Sequence, residues 1–101
     1  MKTSSHIRKI ANKIEKILRE NDVAAPNPTA VYRLERQYSL LRPHCGYCAE
    51  RTRKIVILAR IFYSVRKHMF HPLGADGVMR DMIVNLELIR SWSNLWEQHG
   101  K

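Results

Sequence analysis

Apolar residues recur at spacings of three and four along most of the chain, which is the pattern of one face of an amphipathic helix. In the N-terminal segment, Ser4 or Ser5 can cap the start of such a helix and Asn21-Asp22 can end it. We therefore predict a first helix over roughly residues 5–21. Its apolar face consists of Ile7, Ile10, Ala11, Ile14, Ile17 and Leu18.

Prolines and polar caps divide the rest of the chain into three more helical segments. The connector "DVAAPNPT" contains two prolines, of which Pro28 fits the first position of a helix capped by Asn27. Pro43 ends this second helix, Pro72-Leu-Gly74 ends the third, and Asp76 can cap the fourth. No segment alternates with a period of two as a strand would. The sequence thus predicts an all-α domain of four helices, at about 5–21, 28–42, 49–70 and 76–98.

The fourth predicted helix is apolar over more than half of its circumference, which is typical of a helix covered on several sides. A monomer of 101 residues can enclose only one central helix in this way. The apolar surface of the fourth helix that the monomer cannot enclose predicts a homodimer, or a partner protein, that covers residues 76–98. In the alternative interpretation, the two tryptophans only cap the core. The predicted interface residues are Leu88, Trp92, Leu95 and Trp96.

Length and composition indicate a single folded domain, residues 1–101. A hydrophobic fraction of 45% is ordinary for a globular protein and too high for a disordered tail. No apolar run approaches the ~18 residues of a membrane span, and the N-terminal segment lacks the apolar stretch of a secretory signal. We expect a cytoplasmic protein with no membrane partner.

Positive charge is concentrated in the first two thirds of the chain. The net charge is +9, and residues 1–71 hold 15 basic and 5 acidic side chains, whereas residues 72–101 hold 3 and 4. A basic front beside a neutral, apolar C-terminal helix favours docking on a polyanion. The alternative is the solvated surface of an ordinary basic protein.

Within this basic front, the third predicted helix has no acidic residue between positions 51 and 67. Surface helices usually intersperse acids to form i,i+4 ion pairs, so their absence favours an anionic partner. Arg53, Arg60 and Lys67 recur every seven residues and predict a stripe about 21 Å long, enough to follow several phosphates. The predicted nucleic-acid-binding residues are Arg51, Arg53, Lys54, Arg60 and Lys67, with Lys9, Lys13 and Lys16 on the first helix.

These features favour a DNA-binding regulator of transcription that acts as a dimer. Double-stranded DNA is preferred to RNA because aromatic residues do not alternate with the basic ones, as they do on single-strand stacking platforms. A helix-turn-helix with Gly46 in its turn fits weakly, since "RPHCGYC" is longer than the usual turn. The alternative is an adaptor whose basic face binds an acidic protein.

The two cysteines, Cys45 and Cys48, have the two-residue gap of half a zinc site. His44, His68 and His71 are the candidate further ligands, but a straight third helix would hold the last two about 28 Å away. A redox pair is the second interpretation, with a thiol pKa lowered at the helix N-terminus. Packing in a turn, with Gly46 at positive φ, is the interpretation we prefer. We predict no metal, no cofactor and no enzymatic activity, because no nucleophile triad, acid pair or phosphate loop is present.

Overall fold

The computed structural model describes residues 3–99, with side chains for residues 3–96. Four α-helices follow one another: α1 (Thr3–Glu20), α2 (Pro28–Leu41), α3 (Gly46–Phe62) and α4 (Gly74–His99). A short 3-10 helix, Lys67–Phe70, lies between α3 and α4. The predicted all-α class with four helices is confirmed.

The helices form an antiparallel bundle in which each helix has two neighbours. α1 and α3 both pack against α2 and α4, so α1 lies diagonally opposite α3, and α2 diagonally opposite α4. The core between them is mostly aliphatic, with Phe62 and Tyr63 as its aromatic members, and every helix contributes to it. Its largest fully buried side chains include Ile7, Ile14, Leu18, Leu34, Leu41, Ile55, Met82, Leu86 and Ile89.

The start of α2 follows the sequence prediction. Asn27 is the N-cap, and its side-chain oxygen accepts a hydrogen bond from the Ala30 backbone N–H at 3.1 Å. Its side-chain nitrogen donates to Asn21 Oδ1 at 2.9 Å, so the end of α1 and the start of α2 are tied together. Pro28 occupies the first turn, where its missing N–H leaves no hydrogen bond unmade.

The predicted third helix, 49–70, is wrong at both ends. It begins earlier, because Cys45 is its N-cap, and it ends at Phe62, eight residues before the predicted end. Tyr63 is buried, and its hydroxyl donates to the Asn21 carbonyl oxygen at 2.6 Å. The Ser64 hydroxyl bonds to the Ile61 carbonyl and accepts from the Lys67 N–H, which offers the backbone an alternative to further helical bonds.

The connector between α3 and α4 is fixed in place by His71. Its Nε2 lies 2.9 Å from Asp81 Oδ2, and its Nδ1 accepts from the Leu73 backbone N–H at 3.0 Å. The ring lies against Gly77, where a Cβ would come within 2.5 Å of it. α4 then begins at Gly74, two residues before the predicted cap Asp76, and Gly74 has the left-handed φ of 67° that glycine adopts freely.

Among residues 3–99, none of the helices combines the length and the apolar character needed to cross a bilayer.

Candidate polyanion-binding surface

Three of the predicted DNA-binding residues stand in one row on α1. Lys9, Lys13 and Lys16 are spaced by four and three residues, which places them on one side of the helix, and all three are exposed. His6 precedes the row by three residues and Glu20 follows it by four, so both lie on the same side. The contacts of His6 and Glu20 therefore show which neighbouring helix lies beside the row.

One end of the row contacts α2, and the other end contacts the turn that directly follows α2. Glu20 Oε1 lies 3.9 Å from Arg33 Nη1, and at the other end the rings of His6 and His44 stack with their centroids 4.7 Å apart. The two helices therefore run antiparallel in register along their whole length. Arg36 follows Arg33 by three residues, on the side of α2 that borders the lysine row.

We call this surface the α1–α2 face, and its cations are Lys9, Lys13, Lys16, Arg33 and Arg36. Arg33 is ion-paired with Glu20, whereas the lysines and Arg36 form no ion pair within residues 3–96. Lys9 and Lys16 are about 10 Å apart along α1, and neighbouring helices pack about 8–10 Å apart. Four unpaired cations thus occupy a patch about 10 Å on a side.

Sequence reasoning missed the contribution of α2 to this face. The spacing of Arg33 and Arg36 places them on one side of a helix, but only the register between α1 and α2 shows that this side borders the lysines. The Glu20–Arg33 and His6–His44 contacts supply that register, and both join residues that are distant in the sequence.

The arginines of α3 have partners of their own. Arg53 makes two hydrogen bonds to the carboxylate of Glu50, and these bonds hold the pKa of the Glu50 carboxyl below its ordinary value. Arg60 is ion-paired with Glu35 of α2. Both pairs are exposed and contribute little to stability. They nevertheless place a negative charge beside each arginine, which weakens the case for α3 as the phosphate-binding helix.

The predicted stripe of Arg53, Arg60 and Lys67 does not exist as one helical face. α3 ends at Phe62, so Lys67 lies in the 3-10 helix beyond it. Arg51 is directed to α4, where its Nη1 donates to Asn85 Oδ1 at 3.2 Å. Lys54 remains exposed, with no ion pair to any side chain of residues 3–96.

A cleft of about 450 Å³ lies between α2 and α3 beside these ion pairs. Arg53 and Arg60 lie along it, and the guanidinium of Arg42 stands 6.0 Å from the Tyr38 ring centroid nearby. The cleft is open to solvent and lined by more apolar than polar surface.

Both cysteines lie at the start of α3 and contribute to its capping and packing. Cys45 Sγ accepts a hydrogen bond from the Cys48 backbone N–H at 3.2 Å, in the manner of an N-cap, and Cys48 is fully buried. Burial raises the pKa of the Cys48 thiol, and the Cys45 side chain adds to this, so Cys48 does not have the depressed pKa that the redox interpretation requires. Gly46 is the first residue of α3 and does not have the positive φ that we expected of it.

The candidate zinc ligands lie at opposite ends of the bundle. His44 and the cysteines lie where α2 meets α3, whereas His68 and His71 lie beyond the far end of α3. His44 stacks on His6, and His71 is bonded to Asp81. Within the described part of the chain, no three His, Cys, Asp or Glu side chains come close enough to hold one metal ion.

The predicted interface residues of α4 occupy two environments. Leu88 and Leu95 are exposed and continue a line that begins at Val84, which is 51% exposed. Trp92 belongs to the same line but packs on Tyr47 of α3, with ring centroids 5.1 Å apart. Trp96 is 40% exposed at the end of the bundle. We call Val84, Leu88 and Leu95 the α4 strip.

The contacts of α4 show which side of the bundle this strip occupies. Trp92 and Asn85 reach α3, whereas Arg90 on the other side of α4 bonds to Asn12 and Glu15 of α1. The strip therefore borders α3, on the side of the bundle opposite the α1–α2 face.

No family model, no curated protein and no solved structure matches this chain.

Proposed function

We propose that the protein binds double-stranded DNA through the α1–α2 face and acts as a dimeric regulator of transcription. The observation that carries the proposal is the patch of four unpaired cations: Lys9, Lys13, Lys16 and Arg36. Phosphates are spaced about 3.4 Å apart along one strand, so a patch about 10 Å long spans roughly three of them.

The form of the patch favours backbone contacts over the reading of bases. Lysine is a compact point charge on a flexible stem and binds phosphate without the planar geometry that recognises guanine. Three of the four unpaired cations are lysines on the outside of a helix. Binding should therefore be strong at low salt and weakly dependent on sequence.

Duplex DNA is favoured over single strands because these cations stand on two regular, adjacent helices. Proteins that bind single strands interleave aromatic rings with the basic residues so that successive bases can stack. The rows on α1 and α2 present lysine and arginine at helical spacing, which suits the regular phosphates of a duplex.

The α4 strip is the surface proposed for the dimer. Val84, Leu88 and Leu95 are exposed in one line, and a two-fold axis across this line would pack the same residues of two subunits together. Because the strip lies opposite the α1–α2 face, such a dimer directs its two basic faces away from each other. Such a dimer would join two separate duplex segments and would not bind two half-sites on the same duplex.

A gel shift on random duplex DNA at two salt concentrations tests this function. We expect a retarded complex at low salt that weakens steeply at the higher concentration. Absence of binding at low salt would refute the proposal. It would favour the adaptor hypothesis, in which the partner is an acidic protein.

A further inference from the structure

The most exposed apolar side chains of the described chain gather at one end of the bundle. Phe70 is 81% exposed, Val65 76%, and Met69 and Val23 are each 69%, and no other large apolar side chain of the described residues exceeds these values. Leu73, at 60%, belongs to the same segment as the first three. We call these five residues the apolar tip.

The tip is one surface although its residues come from two connectors. Val23 lies between α1 and α2, and the others lie between α3 and α4. In an antiparallel bundle these two connectors are at the same end, and the hydrogen bond from Tyr63 to the Asn21 carbonyl joins them directly. An exposed apolar cluster of this kind marks a contact with another phase or another molecule.

The tip has a defined shape. His71 bonds to Asp81 and to the Leu73 backbone, the Met69 N–H donates to the Arg66 carbonyl, and Ser64 accepts from Lys67. These bonds hold Met69 and Phe70 outward in the 3-10 helix. The apolar side chains are thus presented to solvent by an ordered backbone.

Positive charge accompanies the apolar side chains. Arg66 and Lys67 are exposed between Val65 and Met69, and residues 51–75 contain no acid. Asp22 is the one acidic residue in the two connectors. A surface that combines exposed Phe, Met and Val with adjacent cations matches the two attractions of an anionic bilayer, which are apolar insertion and attraction to lipid phosphates and carboxylates.

We propose that this end of the protein docks on an anionic lipid bilayer. Phe70, Met69 and Val65 enter the boundary between headgroups and acyl chains, and Arg66 and Lys67 contact the anionic headgroups. Such peripheral docking requires no membrane-spanning segment. We expected no membrane partner from the sequence because no apolar run is long enough to span a bilayer, and peripheral docking does not depend on such a run. The proposal is independent of DNA binding, because the tip and the α1–α2 face are separate surfaces.

Co-sedimentation with vesicles tests the proposal. We expect the protein to sediment with vesicles of phosphatidylcholine mixed with phosphatidylserine, and to stay in solution with phosphatidylcholine alone. Replacing Met69 and Phe70 by Ser should weaken binding by more than roughly tenfold. Leu40→Ser is the matched control, since Leu40 is 47% exposed at the other end of α2, away from the tip, and should change nothing.

A second pair of variants tests the charges. Arg66→Gln with Lys67→Gln should weaken binding about fivefold for each charge removed. The control, Arg53→Gln with Arg60→Gln, removes the same charge from α3 and should have a smaller effect. Equal effects of the two pairs would overturn the proposed orientation, because they would show attraction by net charge alone.

Insertion can be observed directly with Phe70→Trp. Its added fluorescence should shift to the blue on vesicles, whereas wild-type emission should not, because Trp92 and Trp96 lie about 27 Å or more along α4 from its start beside the tip. Failure of wild type to bind the mixed vesicles, or full binding by the Met69 and Phe70 double variant, would overturn the proposal. If wild type ignores vesicles and the double variant loses self-association in light scattering, the tip is a contact between proteins.

Discussion

The rings of His6 and His44 stack with their centroids 4.7 Å apart and their planes 14° from parallel. This contact joins the start of α1 to the turn that directly follows α2. Together with the Glu20–Arg33 pair at the opposite end, it fixes which residues of the two helices are neighbours. The basic α1–α2 face follows from that register, because the lysines of α1 gain Arg36 beside them.

The position of His71 against Gly77 leads to a prediction about stability. A Cβ at residue 77 would lie 2.5 Å from the His71 ring and 2.6 Å from Leu73 Cβ. The collision costs about 1–3 kcal/mol, whereas the gain in helix propensity is about 1 kcal/mol. We therefore expect Gly77→Ala to lower the free energy of unfolding, measured by urea denaturation.

Gly46→Ala is the control for this substitution. Gly46 also lies in the first turn of a helix, but a Cβ there would meet nothing within 4 Å, and its φ is not positive. We expect an unchanged or slightly higher stability. Equal losses at the two glycines would show that the His71 ring does not occupy the place described.

Features of the fold that depend on contacts between neighbouring residues could be predicted from the sequence, whereas features that depend on contacts between distant residues could not. The start of α2 was correct because Asn27 and Pro28 act within one turn. The third helix was wrong because Tyr63 is drawn inward by the Asn21 carbonyl, 42 positions earlier in the chain, which no helical periodicity reveals. Local capping signals sufficed for the class of fold but not for the end of α3.

The candidate site shows the same limit. The lysine row of α1 was readable from spacing, and the Glu50–Arg53 pair could have been read from its i,i+3 spacing. The Glu35–Arg60 pair and the place of Arg36 could not, because both depend on how α2 packs against its neighbours. Charge sign was predictable, whereas the division of cations into paired and unpaired required the tertiary structure.

The buried Tyr63 hydroxyl predicts a dependence of stability on alkaline pH. Burial, with a smaller effect of Asp22, raises the pKa of Tyr63 to about 12 from its ordinary value near 10. The folded state therefore disfavours the phenolate. This contribution to stability is complete below about pH 10 and is lost as the pH rises through about 12.

Tyr63→Phe separates this effect from the titration of other groups. The variant should lose about 1 kcal/mol at neutral pH, since it removes one hydrogen bond. Its stability should then fall less than that of wild type between pH 10 and 12, measured by denaturation at each pH. Parallel curves for the two proteins would contradict the assigned role.

The α4 strip predicts the oligomeric state. We expect light scattering to give a mass of about 24 kDa, twice the 11.9 kDa of the chain. Leu95→Glu should give a folded monomer, because Leu95 is 53% exposed and lies outside the core. A wild-type monomer at high micromolar concentration would refute the dimer.

Placement of the strip opposite the basic face predicts the stoichiometry of the DNA complex. A dimer should bind two short duplexes, one on each outer face, and the Leu95→Glu monomer should bind one. Light scattering of the complexes with a duplex too short for two proteins distinguishes the cases. One duplex per dimer would show that the two basic faces point in the same direction, and the proposed interface would then be wrong.

The salt dependence of duplex binding tests the central claim most directly. Each phosphate contact releases counterions and contributes about 0.9 to the slope of log K against log salt concentration. Replacing Lys9, Lys13 and Lys16 by Ala should reduce that slope by about 2.7, three times this value, and Arg36→Ala should reduce it by about 0.9. Replacing Arg53 and Arg60 by Ala should leave the slope unchanged, because both are already ion-paired. The contrary result, an undiminished slope for the lysine variant and a reduced slope for the arginine variant, would assign binding to α3 and contradict the account.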